Sequence, residues 1–188
     1  MRYLLLVALS LAGLQALAYD KSQYLPPLPL DKYLDSLYLD HALGLRAGTP
    51  TSRQSERVES YEVYLRQEFA RYNFGLLIPS AEVGVAHLAA GTDYGYVFSA
   101  GPAFAIPMAG FSSRLLFVAH GKVVWLTRYE FEDIDYGGPL QWNYGFGGKY
   151  QIERNAYLEY TWQHMSNGDR YDTNPSLETR NLTFGINF

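Results

Sequence analysis

Three residues with the chemistry for acyl transfer lie near the end of the 188-residue chain: His164, Ser166 and Glu178. A serine hydroxyl is a poor nucleophile until a neighbouring base accepts its proton, and a histidine does this best when a carboxylate fixes its tautomer. His164 is therefore the candidate base, Ser166 the candidate nucleophile and Glu178 the candidate orienting carboxylate. Such a triad hydrolyses esters without a cofactor.

The residues after the serine supply candidate hydrogen-bond donors for the oxyanion of a tetrahedral intermediate. Asn167 offers a side-chain amide and Gly168 a backbone N–H. No metal site is expected, because the histidines are dispersed and show no ligand spacing. They stand at His41, His87, His120 and His164.

Alternating strands must position these side chains. His164 and Ser166 are two residues apart, so on a strand they share one face and lie about 7 Å apart. Their phase is that of the apolar Leu158, Tyr160 and Trp162, and Glu178 has the phase of the apolar positions in the last segment. A hairpin with Glu178 directly opposite His164 brings their Cβ atoms to about 5 Å. All three residues are thus predicted on one apolar face.

Eight segments of alternating character predict an all-β fold, an eight-stranded antiparallel transmembrane β-barrel of the outer membrane. The expected segments are 37–48, 57–71, 73–88, 94–107, 112–127, 139–151, 154–166 and 176–188. Arg114, His120 and Lys122 fall on the predicted inward phase. A soluble β-sandwich or lipocalin-like barrel would also alternate. The terminal Phe188, the 17 tyrosines and the contrast between short turns and longer outer loops favour the membrane barrel.

The rest of the chain predicts export and one domain. Residues 1–18 have a cationic start, an apolar run and small residues at the expected cleavage site, which is typical of a signal peptide. Residues 19–36 form a Pro-rich lead without an assigned role, and 37–188 form the barrel. Cysteine is absent, so closed-sheet pairing must replace disulfides. The net charge of −4 and scattered basic residues argue against nucleic acid as a partner.

A purely structural interpretation of the triad remains open from the residues alone. His164 is then an interfacial polar residue, Ser166 and Asn167 begin a turn, and Glu178 is a solvated strand end. The common face weakens this interpretation, because polar residues at a membrane rim need not share a phase. Geometry predicted from sequence does not decide between the two.

The segments His164-Met165-Ser166-Asn167-Gly168 and Asn174-Pro175-Ser176-Leu177-Glu178, followed by an amphipathic strand that ends at Phe188, resemble the PagL family of lipid A deacylases. The resemblance covers roughly residues 154–188. It implies an H-x-S-N motif that supplies base, nucleophile and oxyanion-hole asparagine, with a glutamate that completes the triad. It also implies hydrolysis of the ester-linked acyl chain at the 3-position of lipid A, on the outer wall of an eight-stranded barrel.

The expected partners are therefore lipid A, or lipopolysaccharide, and the lipids of the bacterial outer membrane. Arg180 shares the lipid-facing phase of Glu178, so it is either a headgroup contact or a cation that snorkels to the interface. The sequence leaves open whether the barrel forms a homodimer. Two alternative functions remain: an outer-membrane phospholipase with the same triad, and a non-enzymatic small barrel for adhesion or membrane integrity.

Overall fold

The computed structural model describes residues 41–51, 58–69, 77–108, 111–112, 114–153 and 155–188. The predicted signal peptide 1–18, the lead 19–36 and the first residues of the predicted barrel, 37–40, lie outside these ranges. So do parts of the predicted strands, namely residues 57, 70–71, 73–76, 113 and 154.

Within the described ranges, eight long antiparallel strands close into one barrel, as predicted. In chain order all strands are β1 His41–Pro50, β2 Val58–Glu68, β3 Ile78–Ala90, β4 Asp93–Pro107, β5 Leu115–Leu126, β6 Glu130–Phe131, β7 Ile134–Asp135, β8 Leu140–Glu153, β9 Ala156–Ser166 and β10 Leu177–Asn187. The barrel order is β1-β10-β9-β8-β5-β4-β3-β2, and β6 and β7 form a separate small ribbon. Because β2 and β10 both pair with β1, the sheet formed by the described strands has no free edge.

Side chains alternate between the interior and the outer wall. On β9, Glu159 and Thr161 are fully buried, whereas Leu158 and Tyr160 are exposed. On β10, Thr183 is buried beside an exposed Leu182. An apolar exterior around a polar interior is the arrangement of a transmembrane barrel and the reverse of a soluble β-sandwich. The structure therefore confirms the predicted fold class.

The middle of the interior holds a charge-balanced network. Its cations are Arg46, Arg66 and Lys122, and its carboxylates are Glu62, Glu82 and Glu159. Each of the three cations lies within 3.3 Å of the Glu82 carboxylate. Buried charges persist only when they are paired, so these contacts join β1, β2, β3, β5 and β9 across the interior.

We call the end of the barrel that bears segments 127–139 and 167–176 the mouth end. Segment 127–139, which contains β6 and β7, places Phe131 and Tyr136 in an apolar cluster inside this end. Below the cluster a cavity of about 50 Å³ separates it from the charge network. The lumen is therefore filled at the mouth by side chains rather than open to solvent.

Several details differ from the sequence predictions. Three strands, β1, β3 and β8, each end two residues later than predicted. Arg114, expected on the inward phase, precedes β5 and is exposed, and its guanidinium donates a hydrogen bond to the Ile152 carbonyl at 2.9 Å. Residues 128–138, between the predicted strands 112–127 and 139–151, contain the β6–β7 ribbon, which is too short to show an alternating pattern. No helix among the described residues is long and apolar enough to cross a membrane.

Candidate active site

The pairing of β9 and β10 brings His164 and Glu178 together. They are directly opposed residues of the two strands, and the His164 Nδ1 atom lies 3.6 Å from Glu178 Oε1. Their side chains are 19% and 35% exposed, respectively, on the outer wall. Because Nδ1 faces the carboxylate, the second ring nitrogen, Nε2, is the one left to act as a base.

Ser166 is the last residue of β9 and lies two positions from His164, on the same face. On its other side it is paired with Trp142 of β8. Within the described part of the chain the Ser166 hydroxyl makes no hydrogen bond with His164. Catalytic hydrogen bonds are often long before substrate binds and tighten only in the complex, so proton transfer requires these two side chains to approach each other.

Aromatic rings surround the histidine on the side of β8. Tyr144, the directly opposed residue of β8, has its ring centroid 4.9 Å from that of His164. Trp162 lies 6.1 Å from His164 and packs edge-on against Tyr144 at 5.9 Å. His164 is thus held between a carboxylate on β10 and an aromatic ring on β8. Sequence reasoning missed Tyr144, although its outward phase was visible.

The segment after the serine is held by the side chain of Asn167, which is 1% exposed. Its amide nitrogen donates to the carbonyls of Tyr136 and Thr173, and its amide oxygen accepts from the Arg170 N–H at 3.2 Å. All hydrogen-bonding groups of this amide are therefore engaged. The next residue, Gly168, has a φ of 65°, and its N–H has no acceptor among the described residues.

Arg180 lies two residues beyond Glu178 on β10, farther from the mouth end. It is exposed on the outer wall, paired with Trp162 on β9 and Thr49 on β1. It makes no ion pair within the described ranges. The structure therefore places it beside the predicted triad residues but farther from the mouth end.

The site lies on the outer wall, apart from the interior cavity found among the described residues. The interior cavity is lined by Met165 and Leu177, but not by His164, Ser166 or Glu178. No group of three or more potential metal ligands occurs in the described ranges. His164, Ser166 and Glu178 are the residue types needed to transfer an acyl group from a molecule that approaches from the side of the barrel.

Comparison with known proteins identifies the family. The sequence model described as lipid A 3-O-deacylase (PagL) matches residues 59–187, which include all of β9 and β10. The chain belongs to the PagL family of lipid A 3-O-deacylases. No curated protein sequence matches the chain at a significant level.

Solved structures agree with the PagL family at the level of the fold. The outer membrane enzyme PagL has a TM-score of 0.66 at 14% identity, over 78% of this chain and 99% of that chain. Neisserial surface protein A has a TM-score of 0.52 at 12% identity, over 78% of this chain and 93% of that chain. The outer membrane protein Ail of Yersinia pestis has 0.51 at 8% identity, over 79% and 98%. These similarities show the small outer-membrane barrel fold alone.

Proposed function

We propose that this chain is a serine esterase that removes the ester-linked acyl chain at the 3-position of lipid A, with Ser166, His164 and Glu178 as its triad. Membership of the PagL family supports the substrate and the reaction. The observation that carries the residue assignment is the opposed pair His164–Glu178, 3.6 Å apart on the lipid-facing wall with Ser166 on the same face. Three polar groups on an apolar wall are costly without a function.

In the proposed reaction, Ser166 Oγ attacks the ester carbonyl while His164 Nε2 accepts the hydroxyl proton. Glu178 holds the proton on Nδ1 and stabilises the imidazolium that forms. Collapse of the tetrahedral intermediate breaks the bond to the sugar oxygen, which takes the proton back from His164. Water, activated by the same histidine, then releases the fatty acid from Ser166.

We assign the hydrogen-bond donors that stabilise the oxyanion to the segment that follows Ser166. The Gly168 N–H suits this role, because it has no acceptor among the described residues. The amide of Asn167 would first have to release the carbonyl of Tyr136 or Thr173. We therefore assign Gly168 as the donor, and Asn167 in its present geometry as the residue that shapes the segment around it.

The membrane delivers the substrate. We assign the longer connections, 127–139 and 167–176, to the extracellular side, as in other outer-membrane barrels. This orientation supports a triad at the depth of the outer leaflet of the bacterial outer membrane. Arg180, with its long side chain, extends toward headgroups from a deeper position on the wall. All residues of the proposed site come from one chain, so the reaction does not require the homodimer considered from the sequence.

The test compares lipid A from cells that produce the intact protein, Ser166→Ala or Ser80→Ala, at equal outer-membrane abundance. Ser80 is a matched control, because it is buried in the interior and donates to the Ala103 carbonyl away from the mouth end. Mass spectrometry should show loss of one 3-linked acyl chain with the intact protein and with Ser80→Ala, but not with Ser166→Ala.

Other results would assign other functions. Lipid A that keeps its acyl chains, while glycerophospholipids are cleaved in a Ser166-dependent way, would identify a phospholipase. A folded barrel that cleaves neither lipid, in cells or in detergent, would refute the esterase proposal and leave the non-enzymatic barrel.

A further inference from the structure

Segment 127–139 folds back into the barrel and closes its mouth. The side chains of Phe131 and Tyr136 are 0% exposed and their rings pack edge to face at 6.1 Å. The Gln141 side chain donates from inside to the carbonyls of Tyr136 and Gly138, at 3.0 and 2.7 Å. This plug, defined as residues 127–139, is thus attached to the top of β8.

The plug contacts the reverse side of the proposed active site. Met165 lies between His164 and Ser166 on β9 and points inward, and Leu177 directly precedes Glu178 and is opposed to Met165. Both side chains belong to the same buried cluster as Phe131 and Tyr136. Because successive residues of a strand face opposite sides, apolar packing on these two positions fixes the strand ends that carry the triad.

A second contact joins the plug to the segment after the serine. The Tyr136 carbonyl accepts a hydrogen bond from the Asn167 amide at 3.0 Å. The neighbouring Gly137 has a φ of 80°, and a Cβ there would meet the Thr173 carbonyl, Tyr171 and the Asn167 amide nitrogen. The two mouth segments therefore approach each other so closely that only glycine fits.

We propose that the plug is a positioning element of the active site, with Tyr136 and Gly137 as positioning residues that act through Met165, Leu177 and Asn167. The inference rests on the proposed function, because it assigns a role relative to Ser166 and Gly168. Neither Tyr136 nor Gly137 belongs to the lipid-facing wall. Displacing the plug therefore misplaces the nucleophile and the oxyanion donor without removing substrate contacts, so it lowers kcat and leaves KM unchanged.

The experiment measures kcat and KM on lipid A in detergent micelles for Gly137→Ala, Tyr136→Ala, Tyr136→Phe and the control Gly148→Ala. Gly148 lies on β8, and in the described part of the chain a Cβ there would meet only Leu115, at 3.9 Å. Labelling of Ser166 by a fluorophosphonate reports the reactivity of the nucleophile separately. Heat-modifiable migration in gels reports whether each barrel is folded.

Gly137→Ala and Tyr136→Ala should lower kcat by roughly 10- to 100-fold and slow Ser166 labelling, as expected for a displacement of about 1 Å, with KM within about twofold. Tyr136→Phe should be fully active, because the Tyr136 hydroxyl has no hydrogen-bond partner among the described residues and the carbonyl is retained. Gly148→Ala should also be fully active.

Three results would overturn the inference while the proposed function stands: wild-type kcat in Gly137→Ala and Tyr136→Ala, an increase in KM alone, or barrels that fail to fold. The last would mean that the plug maintains the whole fold rather than the site. If the wild-type protein itself releases no acyl chain, the proposed function fails first.

Discussion

Replacing Glu178 with glutamine removes one negative charge from the outer wall and keeps the size of the side chain. In the proposed mechanism the carboxylate favours the tautomer with the proton on His164 Nδ1 and stabilises the imidazolium. Glutamine accepts a hydrogen bond only through its oxygen, and its NH₂ group favours the wrong tautomer when it faces the ring. We expect Glu178→Gln to lower kcat.

The size of the expected decrease in kcat follows from the distance of 3.6 Å between His164 Nδ1 and Glu178 Oε1. Two unit charges at this distance attract by about 5 kcal/mol at an effective dielectric constant of about 20, and by about 1 kcal/mol in bulk water. The pair is partly exposed, so we expect an intermediate value of about 3 kcal/mol. Because each 1.36 kcal/mol changes a rate about tenfold, kcat should fall by roughly a hundredfold.

The assay follows acyl-chain release from lipid A by the purified barrel in detergent, for the wild type, Glu178→Gln and Glu59→Gln. Glu59 is a matched control, because it is exposed on β2 and its carboxylate accepts a hydrogen bond from Tyr61 at 2.9 Å. Glu59→Gln should retain full activity. A folded Glu178→Gln barrel with a kcat close to that of the wild type would refute the assignment of the orienting carboxylate.

Two further predictions concern stability. Glu82→Gln leaves Arg46, Arg66 and Lys122 without their shared carboxylate. It should therefore lower the free energy of unfolding by about 3–5 kcal/mol, measured by denaturant titration of the vesicle-inserted barrel. An unchanged free energy of unfolding would contradict the stabilising role of the network. Burial raises the pKa of Tyr136, so the closed plug favours the neutral phenol. An unfolded tyrosine ionises at about pH 10, so the closed plug loses stability as the pH rises above this value. Limited proteolysis within 127–139 should therefore increase in alkali for the wild type but not for Tyr136→Phe, and equal cleavage of both would argue against this linkage.

The barrel was predictable because two different surroundings act on each strand. Lipid on one side and a packed polar interior on the other impose a period of two, which is visible around Tyr160 and Leu182. The shared face of His164 and Glu178 also follows from sequence. In a regular hairpin, whether the number of connecting residues is odd or even decides which faces of the two strands lie on the same side. The catalytic roles of these residues remain predictions.

The neighbours of the site on β8 were not predictable in the same way. A bulge between Gln151 and Glu153 shifts the β8–β9 register by one residue. Without it, the pairing that starts at Glu153 and Ala156 would place Gly145, and not Tyr144, opposite His164. A single extra residue in an irregular turn leaves no periodic signal, yet it decides whether an aromatic ring faces the histidine.

The plug shows a second limit of sequence patterns. Segment 127–139 is polar and rich in turn residues, and its burial depends on two side chains, Phe131 and Tyr136, that enter a mouth already lined by apolar residues of β2, β3, β4 and β5. This burial is a tertiary effect, because neither residue lies in an alternating strand long enough to reveal it.

A site on the outer wall of a barrel requires support that a cleft does not. In a cleft, side chains from several directions hold a catalytic residue, whereas on this wall the lipid side is fluid and only the neighbouring strands and the interior can hold it. His164 is fixed laterally by Glu178 and Tyr144, but Ser166 ends its strand and, among the described residues, is paired with Trp142 of β8 and with no residue of β10. The interior must therefore supply the remaining constraint, and inward packing at Met165 is the direct route to the serine backbone. For this reason the position of Ser166, the proposed nucleophile, should depend more on the plug than on the lipid-facing aromatic rings.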